Sequence, residues 1–374
     1  MSDLMQDVTS KALRLNVPLN VQLDLTYRCN ERCVHCYLDH HDHGEMTTAE
    51  IKHLLQDMAD AGVFILTLSG GEIFVRKDIF EIIEHARRLM FCVRLKTNAT
   101  LIGEQEARRL RDLAIESIQV SIYSHRADVH DAVTLLPGSL ERSLKAIRFL
   151  KAHGLKVIIA NVLMTYNAGD YAKVRRLAAD LGVECTLDPT ITPMMDGDRS
   201  VLSLGVDHDA LSEVFRDEEL VGDAESFCAI PPEVGEDDLE STPCSAGHTA
   251  CYVSPYGDVF PCVQFPLPTG NVRREHFIDI WRHSTQMNEV RSIRVKDLPT
   301  CSSCTHASSC SRCPGLAYME GNMRGPSSQD CEKSFARTGI PSANMLNKKR
   351  AAASLVQILP VAAPVNSSAA GALA

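Results

Sequence analysis

Cys29, Cys33 and Cys36 fall in one run, Thr26-Tyr27-Arg28-Cys29-Asn30-Glu31-Arg32-Cys33-Val34-His35-Cys36-Tyr37, directly after an apolar segment. Three thiolates at a C-x3-C-x2-C spacing can hold three corners of a cubane iron–sulfur cluster. The fourth iron is then without a protein ligand, and an open metal position is what catalysis needs. A second set lies far downstream: Cys244, Cys262, Cys301, Cys304, Cys310, Cys313 and Cys331. Its two Cys-x2-Cys pairs would suit structural zinc. Beside the N-terminal triplet they favour iron–sulfur ligation instead.

These residues need elements to position them. From about Leu19 to Asp188, apolar strand signals and amphipathic helix signals alternate six times. Strands are expected at 19–25, 63–68, 91–96, 117–122, 155–161 and 183–188. One intervening helix starts at Thr47, where Thr47-x-x-Glu50 has the pattern of a capping box, with Ile51, Leu54, Leu55 and Met58 on its apolar face. Others are expected at about 78–90, 104–114, 139–153 and 170–181, with Ser139 as an N-cap and Gly154 and Gly182 as stops.

Strand–helix alternation implies parallel strands joined by right-handed crossovers. Six units predict an α/β fold, a partial (β/α)6 TIM-like barrel, followed by a small cysteine-rich iron–sulfur domain. In such barrels the chemistry sits at the carboxyl ends of the strands. The cysteine triplet follows strand one, and Ser69-Gly70-Gly71-Glu72 follows strand two, where glycines let the backbone approach a ligand closely. The expected domains are an N-terminal extension (1–18), the barrel (19–190), a polar bridge (191–227), the auxiliary domain (228–340) and a tail (341–374). After Arg350 the tail has no charge, nine alanines and prolines at 360 and 364, so it is expected to fray.

With an aromatic residue, Tyr37, after the third cysteine and the Gly70-Gly71-Glu72 turn, the chain resembles the radical S-adenosylmethionine (AdoMet) enzymes. The downstream cysteines resemble the SPASM extension of members that modify peptides and proteins. Arg312-Cys313-Pro314-Gly315 is similar to maturases of ribosomally synthesised peptides, while the Cys310–Cys313 gap is one residue shorter than in sulfatase-maturating members. The resemblance implies that Cys29, Cys33 and Cys36 carry a [4Fe–4S] cluster whose open iron chelates AdoMet. Reductive cleavage would give a 5′-deoxyadenosyl radical that takes hydrogen from a peptide or protein, leaving an oxidative modification such as a cross-link or thioether. AdoMet contacts are implied at Tyr37, Gly70, Gly71, Glu72, Asn98, Ser121 and Asn161.

The family also implies that Cys244, Cys262 and Cys313 share one auxiliary cluster and that Cys301, Cys304, Cys310 and Cys331 share another. The fourth ligand of the former is open between three options. A hairpin turn at 255–258 would bring Cys251 opposite Cys262, Cys228 lies upstream, or no protein residue completes the site. Expected partners are a peptide or protein substrate, an electron donor of flavodoxin or ferredoxin type, and a separate leader-peptide-binding protein, because 18 residues precede strand one. A haem-precursor enzyme and a sulfatase maturase are the alternative substrate readings. A non-enzymatic electron carrier or zinc scaffold is the third, and it needs neither the barrel nor Gly70-Gly71-Glu72.

Composition excludes several other classes. A formal charge of −10 argues against nucleic acid as the main partner. No uninterrupted apolar stretch of about 18 residues predicts a membrane span, and the first 18 residues lack a signal-peptide run. Fourteen cysteines, clustered at metal-ligand spacings, point to a reducing cytoplasm rather than a disulfide framework. Cys92 and Cys185 are read as small buried hydrophobes, and the stretch 39–43, rich in histidine, as a solvated loop.

Overall fold

The computed structural model describes residues 3–40, 42–229 and 232–348. Most of the expected tail therefore lies outside the described residues, although 343–348 are helical. The chain runs α1 (Asp3–Leu15), β1 (Asn20–Asp24), α2 (Thr48–Asp60), β2 (Ile65–Ser69), α3 (Ile79–Arg88), β3 (Cys92–Thr97), α4 (Glu104–Asp112), β4 (Ser117–Ser121), α5 (Ala127–Thr134), α6 (Ser139–Ala152), β5 (Val157–Val162), α7 (Tyr171–Asp180) and β6 (Glu184–Asp188). The short helices α8 (His208–Val214), α9 (Glu218–Val221), α10 (Ala224–Cys228) and α11 (Glu236–Glu240) bridge to β7 (Ala250–Val253), β8 (Asp258–Phe260) and β9 (Gly270–Asn271). The chain then adds α12 (Phe277–His283), α13 (Thr285–Ser292), α14 (Pro314–Met319) and α15 (Ser328–Thr338).

All six expected strands are present and pair in parallel, in the order β6-β5-β4-β3-β2-β1. Their outward side chains meet the apolar stripes of the helices. Ile51, Leu54, Leu55 and Met58 of α2 are buried in one core with Val21, Leu23, Leu66, Leu68, Val93 and Leu95. Burying each such side chain contributes roughly 1.5–3 kcal/mol. Alternation along the strands sends Gln22 and Asp24 of β1, Lys96 of β3 and Gln119 of β4 to the opposite, concave face. The interior of the half-barrel is therefore polar.

Three features depart from the sequence reading. First, the sheet continues past β1 with β7, which is parallel to it, and then antiparallel β8 and β9, so the auxiliary region is sewn to the barrel. Second, the expected hairpin forms, but Tyr252 pairs with Phe260 and Val253 with Val259. That register is one residue off the one that would oppose Cys251 to Cys262, and one step moves a side chain to the other face. Cys251 accordingly sits in the apolar core, beside Val21 of β1, and is 4% exposed. Third, Ser139 is the first residue of α6 rather than its cap. The Asp131 carboxylate takes that role, accepting from Gly138 N, Leu140 N and the Ser139 hydroxyl.

Candidate active site

The cysteine triplet lies in a loop held from several sides by backbone hydrogen bonds. Gly71 N donates to Thr26 O (2.8 Å) and Glu72 N to Arg28 O (3.0 Å). From the other side, Arg32 N and Val34 N donate to Thr134 O (3.0 Å) and Val133 O (2.9 Å), at the end of α5. Met195 N closes the loop's far end on Tyr37 O (3.0 Å). The 131–139 segment is thus part of the cluster-loop seat. In the sequence, the stretch from His130-Asp131 to Gly138-Ser139 resembles one that recurs in peptide-modifying members and also reads as a helix start.

The two glycines after β2 are required by this seat. A Cβ on Gly70 would lie 2.3 Å from Thr26 O, and one on Gly71 would lie 2.4 Å from Arg28 O. Gly70 also has φ of +142°, a conformation that side chains rarely adopt. The close neighbour within the protein is the cluster loop's backbone. Glu72, which ends the same turn, is held by the protein itself. It is fully buried outside the cavity, and its carboxylate accepts from Thr97 Oγ1 (2.8 Å), Asn98 N (2.8 Å) and Phe74 N (2.9 Å). It braces β2 against β3.

The remaining site residues converge on one cavity of about 460 Å³ at the carboxyl ends of the strands. Cys29, Cys33, Cys36, Tyr37, Gly70, Gly71, Asn98, Ser121 and Asn161 all line it. Asn98 uses its amide to tie Asn30 (2.9 Å) to β3, so it supports the loop as well as facing the space. Asn161 donates to Ile122 O (2.7 Å) and Tyr123 O (3.0 Å), leaving its Oδ1 buried without a partner. From the auxiliary region, Val263 and Gln264 form part of the cavity wall next to Cys262.

The triplet's chemistry fits an iron–sulfur cluster. Burial pushes the thiols up, Cys29 to about 12, so a strong Lewis acid is needed to hold them as thiolates. Among the described residues, no three cysteine sulfurs lie within 4.8 Å of one another. Four thiolates on a single zinc ion would sit about 3.8 Å apart, so the spacing suits a larger polynuclear group. Burial also pushes Glu31, beside Cys33, up to about 7 and His35 down to about 4. Glu31 Oε1 and His35 Nδ1 are buried without hydrogen-bond partners.

Downstream, the cysteines form two groups. Cys262 feels the charge of Cys244, and Cys313 that of Cys262. Cys301, Cys304, Cys310 and Cys331 line a separate cavity of about 190 Å³ with Arg312 and Asp330. Gly315 lets α14 press Cys313 against the cavity wall, since a Cβ there would meet Gln264 O at 2.1 Å. Cys251 is in the core, and the Cys228 thiol donates to Phe215 O (3.3 Å) in the bridge. All fourteen cysteines are free of disulfides. Among the described residues, the one group close enough for a single ion is His53, Asp57 and His276, outside the cavity.

A model of the radical SAM superfamily matches residues 23–178, and a model of the SPASM iron–sulfur cluster-binding domain matches residues 244–314. The chain is thus a radical AdoMet enzyme with a SPASM domain, and its cofactors are AdoMet, a [4Fe–4S] cluster and auxiliary iron–sulfur clusters. It is 26% identical over 352 residues to mycofactocin maturase MftC of Mycobacterium tuberculosis, covering 90% of this chain and 88% of that protein. It is 29% identical over 326 residues to the AdoMet-dependent heme synthase of Methanosarcina barkeri, covering 81% and 93%. The solved structure of Streptococcus suis SuiB bound to precursor peptide SuiA shares the fold, with a TM-score of 0.68 at 18% identity, covering 87% of this chain and 79% of that one. Among the described residues, no helix is long and apolar enough to cross a membrane.

Proposed function

We propose that this enzyme matures a peptide or protein by abstracting a hydrogen atom from one of its carbons, with oxidation as the net outcome. The carrying observation is the single cavity shared by the triplet loop and the Val263–Gln264 wall beside Cys262. A side chain inserted there lies between AdoMet and an auxiliary cluster. When bound, the N-terminal cluster and AdoMet supply a 5′-deoxyadenosyl radical. The protein's own part is positional. Cys29, Cys33 and Cys36 hold the cluster, and Gly70, Gly71 and Glu72 fix their loop. Tyr37, Ser121 and Asn161 bound the AdoMet space, and the strand ends exclude bulk water.

Cys244, Cys262 and Cys313 hold the auxiliary cluster next to the cavity. The other four downstream cysteines hold the second. An external donor of flavodoxin or ferredoxin type supplies electrons. Relatives named as peptide maturases support a peptide substrate, and the heme synthases make a haem precursor the second reading. The test incubates reconstituted, reduced enzyme and AdoMet with the small peptides encoded beside its gene. A loss of hydrogens in the product mass is the expected result. Unchanged peptides with a converted haem precursor would replace this reading.

A further inference from the structure

The cavity floor holds a charge that the radical chemistry leaves unused. Lys96 projects from β3 into the cavity, and it is the one lysine or arginine among the described residues that line it. The acidic groups on the wall are Glu31 and Asp188. Lys96 is also fixed in place. Its Nζ donates to Gln22 Oε1 (3.0 Å), Gln22 Nε2 donates to Asp24 Oδ1 (3.1 Å), and Tyr252 Oη donates to Asp24 Oδ2 (3.0 Å). Tyr27 Oη joins the other end at 2.7 Å from Tyr252 Oη. Asp24 is fully buried, and as a carboxylate it can only accept. Gln22 must therefore turn its amide nitrogen to Asp24 and its oxygen to Lys96. The chain orients the ammonium and uses one of its three N–H bonds.

We propose that Lys96 is the docking point for a carboxylate of the substrate, either the carboxyl terminus of a peptide or an acidic side chain. This rests on the reading of the cavity as the substrate site. The Lys96 ammonium is exposed to the cavity, so an incoming carboxylate can reach it, and its fixed position reduces the ordering that an ion pair there requires. AdoMet's own carboxylate is the competing source, and the AdoMet affinity of the Lys96 variants separates the two. With a carboxylate on Lys96, the carbons adjoining that end of the substrate face the AdoMet space, so the reaction falls on the anchored end.

The test uses the reconstituted, reduced holoenzyme loaded with AdoMet. Binding of acetyl-trialanine as the free acid and as the amide is measured by equilibrium dialysis for wild type, Lys96→Met and Lys96→Arg, with iron content confirming that each is folded. Wild type should prefer the acid by about tenfold, the equivalent of one ion pair. Lys96→Arg should keep most of the preference, and Lys96→Met should lose it. Equal binding of acid and amide by wild type, or a preference that survives in Lys96→Met, overturns the proposal. So does a loss of AdoMet affinity in Lys96→Met as large as the loss of acid affinity, because the carboxylate would then be AdoMet's. If no gene-adjacent peptide is modified while the acid preference stands, the peptide reading fails and the anchor remains.

Discussion

The triplet loop and the auxiliary field both gather cysteines, but by different means. Cys29, Cys33 and Cys36 come from one loop whose backbone is bonded to the turn after β2, the end of α5 and residue 195. Cys244, Cys262 and Cys313 come from three separated segments, and Cys301, Cys304, Cys310 and Cys331 from a coil and one helix. The first site is shaped by the fold before any metal arrives. The second gathers cysteines from segments far apart in the chain, where metal binding would couple to their folding as in small metal-nucleated domains. The lesson is that one site draws its cysteines from a single braced loop and the other from segments that only tertiary packing brings near.

This contrast can be broken experimentally. The largest effect is expected from Cys29→Ala, which should reduce 5′-deoxyadenosine release to background in an anaerobic, reduced assay. Undiminished release would remove the basis for the active-site assignment. Cys310→Ala should instead lower iron content by about four per chain, abolish substrate modification and leave AdoMet cleavage measurable. Equal loss in both variants would mean that the two regions are not separable.

Glycine substitutions sharpen the same distinction. Gly71→Ala forces a Cβ onto Arg28 O and should cost about 1–3 kcal/mol of stability, or more, through overpacking. Iron loading at the triplet should fall with it. Gly315→Ala meets Gln264 O, so its loss should appear in auxiliary iron instead. Chemical denaturation and iron counting of both variants check this.

Glu72→Gln replaces a carboxylate that accepts three protein hydrogen bonds by a group with one acceptor oxygen, at a cost of about 1–3 kcal/mol. A pH-dependent effect of similar size concerns Asp24, whose pKa burial pushes up to about 6. A raised folded-state value means that its contribution is fully present below the ordinary carboxylate range and is lost as pH rises through about 6. Stability should therefore fall by about 3 kcal/mol between about pH 4 and pH 6, and Asp24→Asn should flatten that part of the profile. An unchanged slope in denaturation midpoints against pH would show that Asp24 titrates normally.

Much of this was legible in the chain. Six strands and their helices follow from hydrophobic periodicity, which burial on one sheet face enforces, and the triplet follows from spacing within one loop. Periodicity cannot show which edge a later strand joins, so β7 beside β1 was not foreseen. For the same reason the hairpin register was misjudged by one residue, sending Cys251 into the core. Nor does the motif around Glu72 record that its carboxylate accepts from Thr97, Asn98 and Phe74, because those partners come from the next strand end and from local packing.

The amino-acid order by itself determined the partial barrel, the cluster loop and the class of cofactor, because each depends on short-range spacing. Only the tertiary structure decided which strand extends the sheet past β1, which lysine faces the cavity and how a chain of hydrogen bonds orients it. Those outcomes rest on strand order and register between remote segments, and local spacing carries no record of them.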